Sequence, residues 1–177
     1  DNLTWSVEGN VLKISGTGAM YDYQPGTAPW YEYSAQIKNI KVGYGVTSIG
    51  SYAFYNCESL KSVTIADGVS VGYEAFYGCS GLTTLKLGKG VTIDDSAFED
   101  CTSLKSLTIK TNTTIDYYAF RYCTGLEKVY LNVAGCSLYS DIFEGCTNLK
   151  KAVVYGGTTI PYCLDIPTLT SAGPSGS

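Results

Sequence analysis

The sequence predicts an α/β repeat fold: a right-handed solenoid of about five coils, with a parallel sheet along one side and a β-rich cap at its N-terminus. Three observations carry this. A thirteen-residue pattern recurs at Ala53-Phe54…Cys57…Leu60, Ala75-Phe76…Cys79…Leu82, Ala97-Phe98…Cys101…Leu104, Ala119-Phe120…Cys123…Leu126 and Ile142-Phe143…Cys146…Leu149, at spacings of 22, 22, 22 and 23. Each Leu is followed by two apolar residues on alternate positions, from Val63/Ile65 through Leu85/Leu87, Leu107/Ile109 and Val129/Leu131 to Ala152/Val154. Residues 1–36 do not fit the period. A fixed repeat of this length means stacked supersecondary units, none of which buries its apolar face alone.

The elements follow in chain order. Leu3-Thr4-Trp5-Ser6-Val7, then Glu8-Gly9-Asn10, then Val11-Leu12-Lys13-Ile14 reads as a hairpin. Gly16, Gly18, Pro25, Gly26 and Pro29 break the stretch before Trp30-Tyr31. A solenoid end exposes a naked core, so residues 1–36 are expected to form an aromatic-rich cap. The array proper is read as residues 37–164, opening on Ile40-Lys41-Val42 after Ile37 in the Leu slot.

In each coil the alternating step predicts a strand with one buried face. A turn follows at Gly45, Gly68, Gly90, Asn112 or Gly157, where Gly or Asn suits a positive φ. The fifth coil carries one extra residue, with Ala134-Gly135 at the turn. A second buried position comes next, at Ile49, Val71, Ile93, Ile115, Leu138 and Ile160. In Ala-Phe-x-x-Cys-x-x-Leu the apolar residues recur at three- and four-residue steps, which predicts a short helical or 3₁₀ edge held by stacking. Residues 165–177, rich in Pro, Thr, Gly and Ser, read as a linker or disordered tail.

Composition narrows the chemistry. The net charge is −4, and Arg121 is the single arginine, so nucleic acid is a poor partner. No stretch approaches the roughly 18 apolar residues of a membrane span, and no membrane insertion is expected. There is no histidine, which removes the commonest general base and a favoured metal ligand. No phosphate loop, nucleophile elbow or paired-acid motif is present, and the reading is of a non-catalytic protein without cofactor or metal. No signal-peptide pattern is seen, and the opening at Asp1 is that expected of a segment of a longer protein.

The repeat Ile-Gly-x-x-Ala-Phe-x-x-Cys-x-x-Leu-x-x-Val-x-Ile, best preserved from Ile49 to Ile65, resembles the BspA-type leucine-rich repeat over about residues 37–160. Leu3-Thr4-Trp5 with Ile14-Ser15-Gly16-Thr17-Gly18-Ala19-Met20 resembles the segment that often precedes such arrays. The resemblance implies a leucine-rich-repeat solenoid in a secreted or surface-anchored bacterial protein, several such proteins being associated with adhesion. Asp94 and Asp116 depart from the Gly of Ile-Gly, and Ile142 from the Ala. No catalytic residues are carried over, because the family defines none.

Two surfaces are candidates for recognition. The solvent-facing strand positions Lys41, Thr64, Lys86, Thr108 and Tyr130, with Lys128 in the adjoining row, form a polar, mildly basic strip that an extended ligand could read one contact per coil. Such residues are also ordinary on a solvated sheet. The second candidate is aromatic: Tyr55 and Tyr77 share a register, as do Tyr52 with Tyr118 and Tyr73 with Tyr117. Tyrosine offers rigid amphipathic area, suited to interfaces or to covering gaps between coils.

The structural core is expected in the Phe54, Phe76, Phe98, Phe120 and Phe143 column, with Cys57, Cys79, Cys101, Cys123 and Cys146 packing as small apolar side chains. Cys136 and Cys163 fall outside that column and are either a C-terminal staple or two free thiols. Glu99, Arg121 and Glu144 occupy one register and predict an alternating charge ladder. Asp94, Asp95, Asp116 and Asp141 lack the spacing of a calcium loop.

The function expected is an extracellular or cell-surface adhesion module that recognises protein or glycan on a host or neighbouring cell. The alternative is a structural spacer in a longer surface protein. A weak homodimer would form through an exposed C-terminal coil at Ala152, Val154 and Ile160.

Overall fold

The computed structural model describes residues 2–169 and 171–174 and is a solenoid of about five coils. Strands β1 (Leu3–Glu8) and β2 (Val11–Gly16) form an antiparallel hairpin closed by Gly9-Asn10, with Glu8 opposite Val11. Each coil then contributes two strands. The first set is β4 (Asn39–Val42), β6 (Ser62–Ile65), β8 (Thr84–Leu87), β10 (Ser106–Ile109), β12 (Lys128–Asn132) and β14 (Lys151–Tyr155). The second set is β5 (Val46–Ile49), β7 (Ser70–Val71), β9 (Thr92–Ile93), β11 (Thr114–Ile115) and β13 (Ser137–Leu138).

There are therefore two stacks of parallel strands, where a single one is expected from the sequence. The second position of each coil, read there only as buried, lies on a short strand in register with its neighbours: Ser70 pairs with Thr92 and Val71 with Ile93. On the first side the ladder runs β1-β2-β4-β6-β8 and, after a break, β10-β12-β14.

The third side corrects the helical edge. Among the described residues the only helical segments are three-residue 3₁₀ turns at Tyr31–Tyr33 and Tyr162–Leu164. The Ala-Phe-x-x-Cys stretch instead closes successive tight turns, with Tyr55 N–H bonding Tyr52 O at 3.3 Å and Cys57 N–H bonding Phe54 O at 3.1 Å. Tyr52, Glu74, Ser96, Tyr118 and Asp141 are left-handed, with φ between 49° and 59°. A second left-handed column runs through Asn56, Gly78, Asp100, Tyr122 and Gly145. A left-handed residue every fourth position breaks any helix and turns amides sideways toward the next coil. Phe54 N–H bonds Ala75 O at 2.7 Å, Phe76 bonds Ala97 at 2.8 Å, and Asn56 bonds Tyr77 at 2.7 Å. The backbone groups a helix would satisfy internally are satisfied here between coils.

The turns after the first strands follow expectation at Gly68, Gly90 and Asn112, whose φ values are +72°, +66° and 60°. In the longer fifth coil the left-handed residue is Gly135. Gly45 and Gly157 are not left-handed, and Gly156 takes that role in the last coil. Gly45 is required by space, because a Cβ there would collide with the Gly16 carbonyl.

The core is a set of columns. Phe54, Phe76, Phe98, Phe120 and Phe143 are buried, and successive rings lie 5.1, 5.0, 5.3 and 6.0 Å apart, near-parallel. The N-terminal segment enters these columns. Strand β2 pairs in parallel with β4, β3 (Gly18–Ala19) pairs with β5, and Trp30 stacks on Phe54 at 5.4 Å. Residues 11–30 thus build all three sides of a preceding coil without keeping the 22-residue step.

The C-terminal segment also departs from its reading as a linker or disordered tail. Ile166 and Leu169 pack half-buried against the core, and β15 (Ser171–Pro174) pairs in parallel with β14. An open strand edge is a template for further pairing, and this chain covers it with its own backbone. Ala152 and Val154, expected on an exposed coil, are consequently buried, while Ile160 is 48% exposed. Asp1, Thr170 and residues 175–177 lie outside the described residues, and with them that part of the tail reading.

Candidate binding surfaces

The first sheet positions the polar strip. Thr64 stands opposite Lys86 and Thr108 opposite Tyr130, each on the outer face between buried neighbours. Lys13 lies opposite Lys41 and extends the row into the cap. In the adjoining row Ser62 faces Thr84, and Ser106 faces Lys128, which faces Lys151. The Lys128 ammonium lies 5.6 Å from the Tyr130 ring centroid, so the strip ends in a cation held over an aromatic face. Lys41, Thr64, Lys86 and Thr108 are exposed, and Lys128 and Tyr130 half-buried. The row is in register from Thr64 to Lys86 and from Thr108 to Tyr130. It is broken between β8 and β10, and β4 meets β6 only at Asn39 and Ser62, which leaves Lys41 and Thr64 unpaired with each other.

The tyrosines sort differently from the register read in the sequence. Tyr55 and Tyr77 stack at 5.2 Å, and Tyr52 meets both Tyr55 and Tyr73 edge-on at 5.6 and 5.5 Å. Tyr117 meets Tyr118 at 6.4 Å and Tyr139 at 5.2 Å. The surface is thus two clusters, one on the first two coils and one on the last two. The third coil separates them, placing Asp95 where both neighbouring coils carry a tyrosine and Ser96 where the fourth coil carries Tyr118. Tyr73 and Tyr117, paired by register, are two coils apart. The Tyr73 hydroxyl is pushed up to about 12, mainly by its hydrogen bond to Glu74, and that of Tyr77 to about 12 by burial and its bond to Asp100.

Arg121 bridges the coils on either side. Its guanidinium lies 3.9 Å from Glu99 and 3.5 Å from Glu144, and over the Tyr118 and Tyr122 rings at 4.8 and 4.5 Å. The charge ladder is as the register predicts. Glu99 is only 8% exposed, and burial holds its carboxyl above the usual carboxylate value.

The repeat cysteines are buried and unpaired. Cys79, Cys101, Cys123 and Cys146 each donate the thiol to the carbonyl of the Phe of the preceding coil, at 3.2, 3.4, 3.2 and 3.1 Å. Cys136 is half-buried, its Sγ 3.1 Å from Asn132 O, and Cys163 is buried; both are free thiols. Among the described residues no group of three or more His, Cys, Asp or Glu converges to hold a metal.

These stacked coils carry a recognisable pattern. Residues 29–150 match six copies of the BspA type leucine rich repeat region. The chain belongs to that family. No curated protein matches it. The chain is similar in fold to a leucine-rich repeat protein of T. pallidum, with a TM-score of 0.60 and 22% identity, covering 98% of this chain and 81% of that one. It is similar also to a leucine rich cell surface protein of Faecalibacterium prausnitzii, with a TM-score of 0.51 and 22% identity, covering 86% of this chain and 53% of that one.

One further surface of this BspA-type array escaped the sequence reading. On the second sheet Ser48, Ser70, Thr92, Thr114 and Ser137 form an unbroken registered row. An open groove of about 460 Å³ runs along it, bordered by Asp22, Asp94, Asp116 and Tyr139. Two of the aspartates bond locally, Asp94 accepting from Asp95 N–H at 2.8 Å and Asp116 from Tyr117 N–H at 2.7 Å, while Asp22 ties the cap to the first coil by accepting from Ser51 N–H at 2.8 Å. The signal was present as a Ser or Thr before each second buried position.

Proposed function

We propose that this protein is a non-catalytic binding module of a bacterial cell surface, and that its first sheet recognises an extended protein or glycan chain on a host or neighbouring cell. The observation that carries the reading is the outer row of Lys41, Thr64, Lys86, Thr108 and Tyr130, in register from Thr64 to Lys86 and from Thr108 to Tyr130 and flanked by Lys128. Where the strands pair, successive coils present side chains at the interstrand spacing of about 4.8 Å, which suits a ligand that repeats along its own length. The lysines make this strip a site for negative charge on a protein whose net charge is −4. Similarity to a leucine rich cell surface protein supports the location.

The test is binding of the purified chain to arrayed glycans and extracellular-matrix proteins, beside a variant with Lys86, Lys128 and Tyr130 all changed to Ala. The expected outcome is a hit that weakens as salt is raised and is lost in the variant. Equal binding by the variant would sink the strip. Binding of nothing above background would favour a spacer.

A further inference from the structure

The cap contains a cavity that the strip does not use. It has a volume of about 190 Å³ and is walled by Trp5, Tyr21, Tyr23 and Trp30, with Leu3 and Met20 among its apolar lining. Protein interiors pack closely, and large side chains brought together in a cap would ordinarily fill such a space. Here the rings stand on edge to one another. Trp5 and Trp30 lie 6.0 Å apart at 78°, and Tyr23 and Trp30 lie 5.6 Å apart at 78°. These are edge-to-face contacts between touching rings, and with one face of buried Trp30 stacked on Phe54, the cavity beside them is bordered chiefly by Trp5, Tyr21 and Tyr23.

The chemistry of the walls selects among ligands. The lining contains no charged residue, and its only side-chain hydroxyls are those of Thr4, Tyr21 and Tyr23. The Trp30 indole N–H is already spent on Ala53 O at 2.8 Å. A sugar ring needs several convergent hydrogen bonds, toward which this lining offers three hydroxyls and no charged or amide side chain. A quaternary ammonium needs none: it is held by the negative faces of aromatic rings, and its methyl groups suit apolar walls. An anion would meet no positive charge. We propose that the cap cavity is an aromatic cage for a quaternary ammonium group, the choline class of cation, and that this site is independent of the sheet strip. Trp5, 38% exposed, and Tyr21, 60% exposed, stand at its mouth, so the ligand can enter without opening the fold.

Trp5 and Trp30 are the only tryptophans in the chain, and both line the cavity, so intrinsic emission reports on it directly. The whole chain is titrated with tetramethylammonium chloride, with choline chloride and with 3,3-dimethylbutan-1-ol, the neutral isostere of choline, against sodium chloride at matched ionic strength. The expected result is a saturable change with both cations and binding about tenfold weaker for the alcohol, since only the charge differs. No saturable change below about 50 mM cation, or an alcohol that binds as well as choline, overturns the proposal.

Tyr21→Leu keeps an apolar wall and removes a ring at an exposed position. It is expected to weaken choline about tenfold while the melting temperature stays put. Unchanged choline affinity in both Tyr21→Leu and Trp5→Leu would also overturn the cage. Flotation with phosphatidylcholine vesicles, set against phosphatidylglycerol vesicles, separates the sources of the cation. Selective binding to phosphatidylcholine assigns the group to a lipid headgroup, and choline binding without flotation assigns it to a soluble or polymer-borne ligand.

Discussion

The Cys123 thiol lies 3.2 Å from the carbonyl oxygen of Phe98, in the coil before it. The same relationship links Cys79 to Phe54, Cys101 to Phe76 and Cys146 to Phe120. The cysteine column is therefore a ladder of weak donors that ties each coil to its predecessor inside the core. Burial pushes the Cys57 thiol up to about 12 and raises those of Cys79, Cys101 and Cys123 as well. The thiolate is the reactive species, so these groups should be inert in the folded protein. With a thiol reagent at pH 8, half-buried Cys136 is expected to label first, and the others only as the chain unfolds. Mass mapping of the adducts over time checks this, and early labelling of Cys101 would contradict the packing.

The phenylalanine column should be the costliest place to create a void. Phe98 is fully buried between Phe76 and Phe120, whose rings lie 5.0 and 5.3 Å away. Phe98→Ala removes two stacking contacts and leaves a cavity that the facing coils cannot close independently. The expected loss is about 3–5 kcal/mol, read from urea unfolding midpoints. A loss below about 1 kcal/mol would mean that the coils can collapse around the gap.

The left-handed columns offer a change in the opposite direction. Asp141 sits at φ 59° on the exposed side of its turn, a conformation an L-residue adopts at a cost and glycine adopts freely. Asp141→Gly is expected to stabilise by about 1 kcal/mol, and Asp141→Ala to give no gain, because alanine keeps the Cβ. Thermal melts of both variants separate the backbone effect from loss of the carboxylate. Equal shifts in the two would refute the conformational account.

Glu99 makes stability depend on pH. Burial raises its carboxyl more than the Ser96 bond and the Arg121 charge lower it, so the folded state holds the proton more tightly than the unfolded state. Its contribution is then most favourable below the ordinary value of 4.5, and is lost as pH rises from there through the raised folded value. Glu99→Gln removes this dependence. The variant is expected to compare more favourably with the parent at pH 7 than at pH 4, in paired denaturant titrations. A difference that runs the other way would mean that the Arg121 pair at 3.9 Å dominates.

Legibility in the sequence followed side-chain periodicity. The Phe, Cys and Leu columns could be read because buried positions repeat residue type, as from Phe54 to Phe76 to Phe98. The left-handed column at Tyr52, Glu74, Ser96, Tyr118 and Asp141 shares a conformation and no chemistry, so composition could not disclose it. The column just before each cysteine was more open to reading: Asn56, Gly78, Asp100 and Gly145 are residues that tolerate positive φ. Trp30 was missed as the head of the Phe column because a different ring stands 24 residues before Phe54. Strand β15 pairs by backbone with the edge of β14, which leaves no side-chain signature. The pairing of Thr64 with Lys86 and of Thr108 with Tyr130 follows from the period, whereas the interruptions between β4 and β6 and between β8 and β10 do not. Nor does the split of the tyrosines, because it depends on which rings meet across coils.

That split bears on what the tyrosines do. Tyr55 and Tyr77 stack with planes 12° apart, and both are half-buried, Tyr77 also hydrogen-bonding Asp100 on the next coil. Stacking, burial and a bond between coils are the properties of a side chain that holds coils together. Replacing both by Ser should remove an aromatic pair and its buried area, at a cost of about 2 kcal/mol or more. The expected fall in melting temperature is about 5 °C or more for a domain of this size. Tyr117, 43% exposed at the other cluster, is expected to lower it by less than about 2 °C when changed to Ser. If the Tyr55/Tyr77 pair melts like the parent and loses ligand in the array experiment instead, the first cluster belongs to recognition and not to the stack.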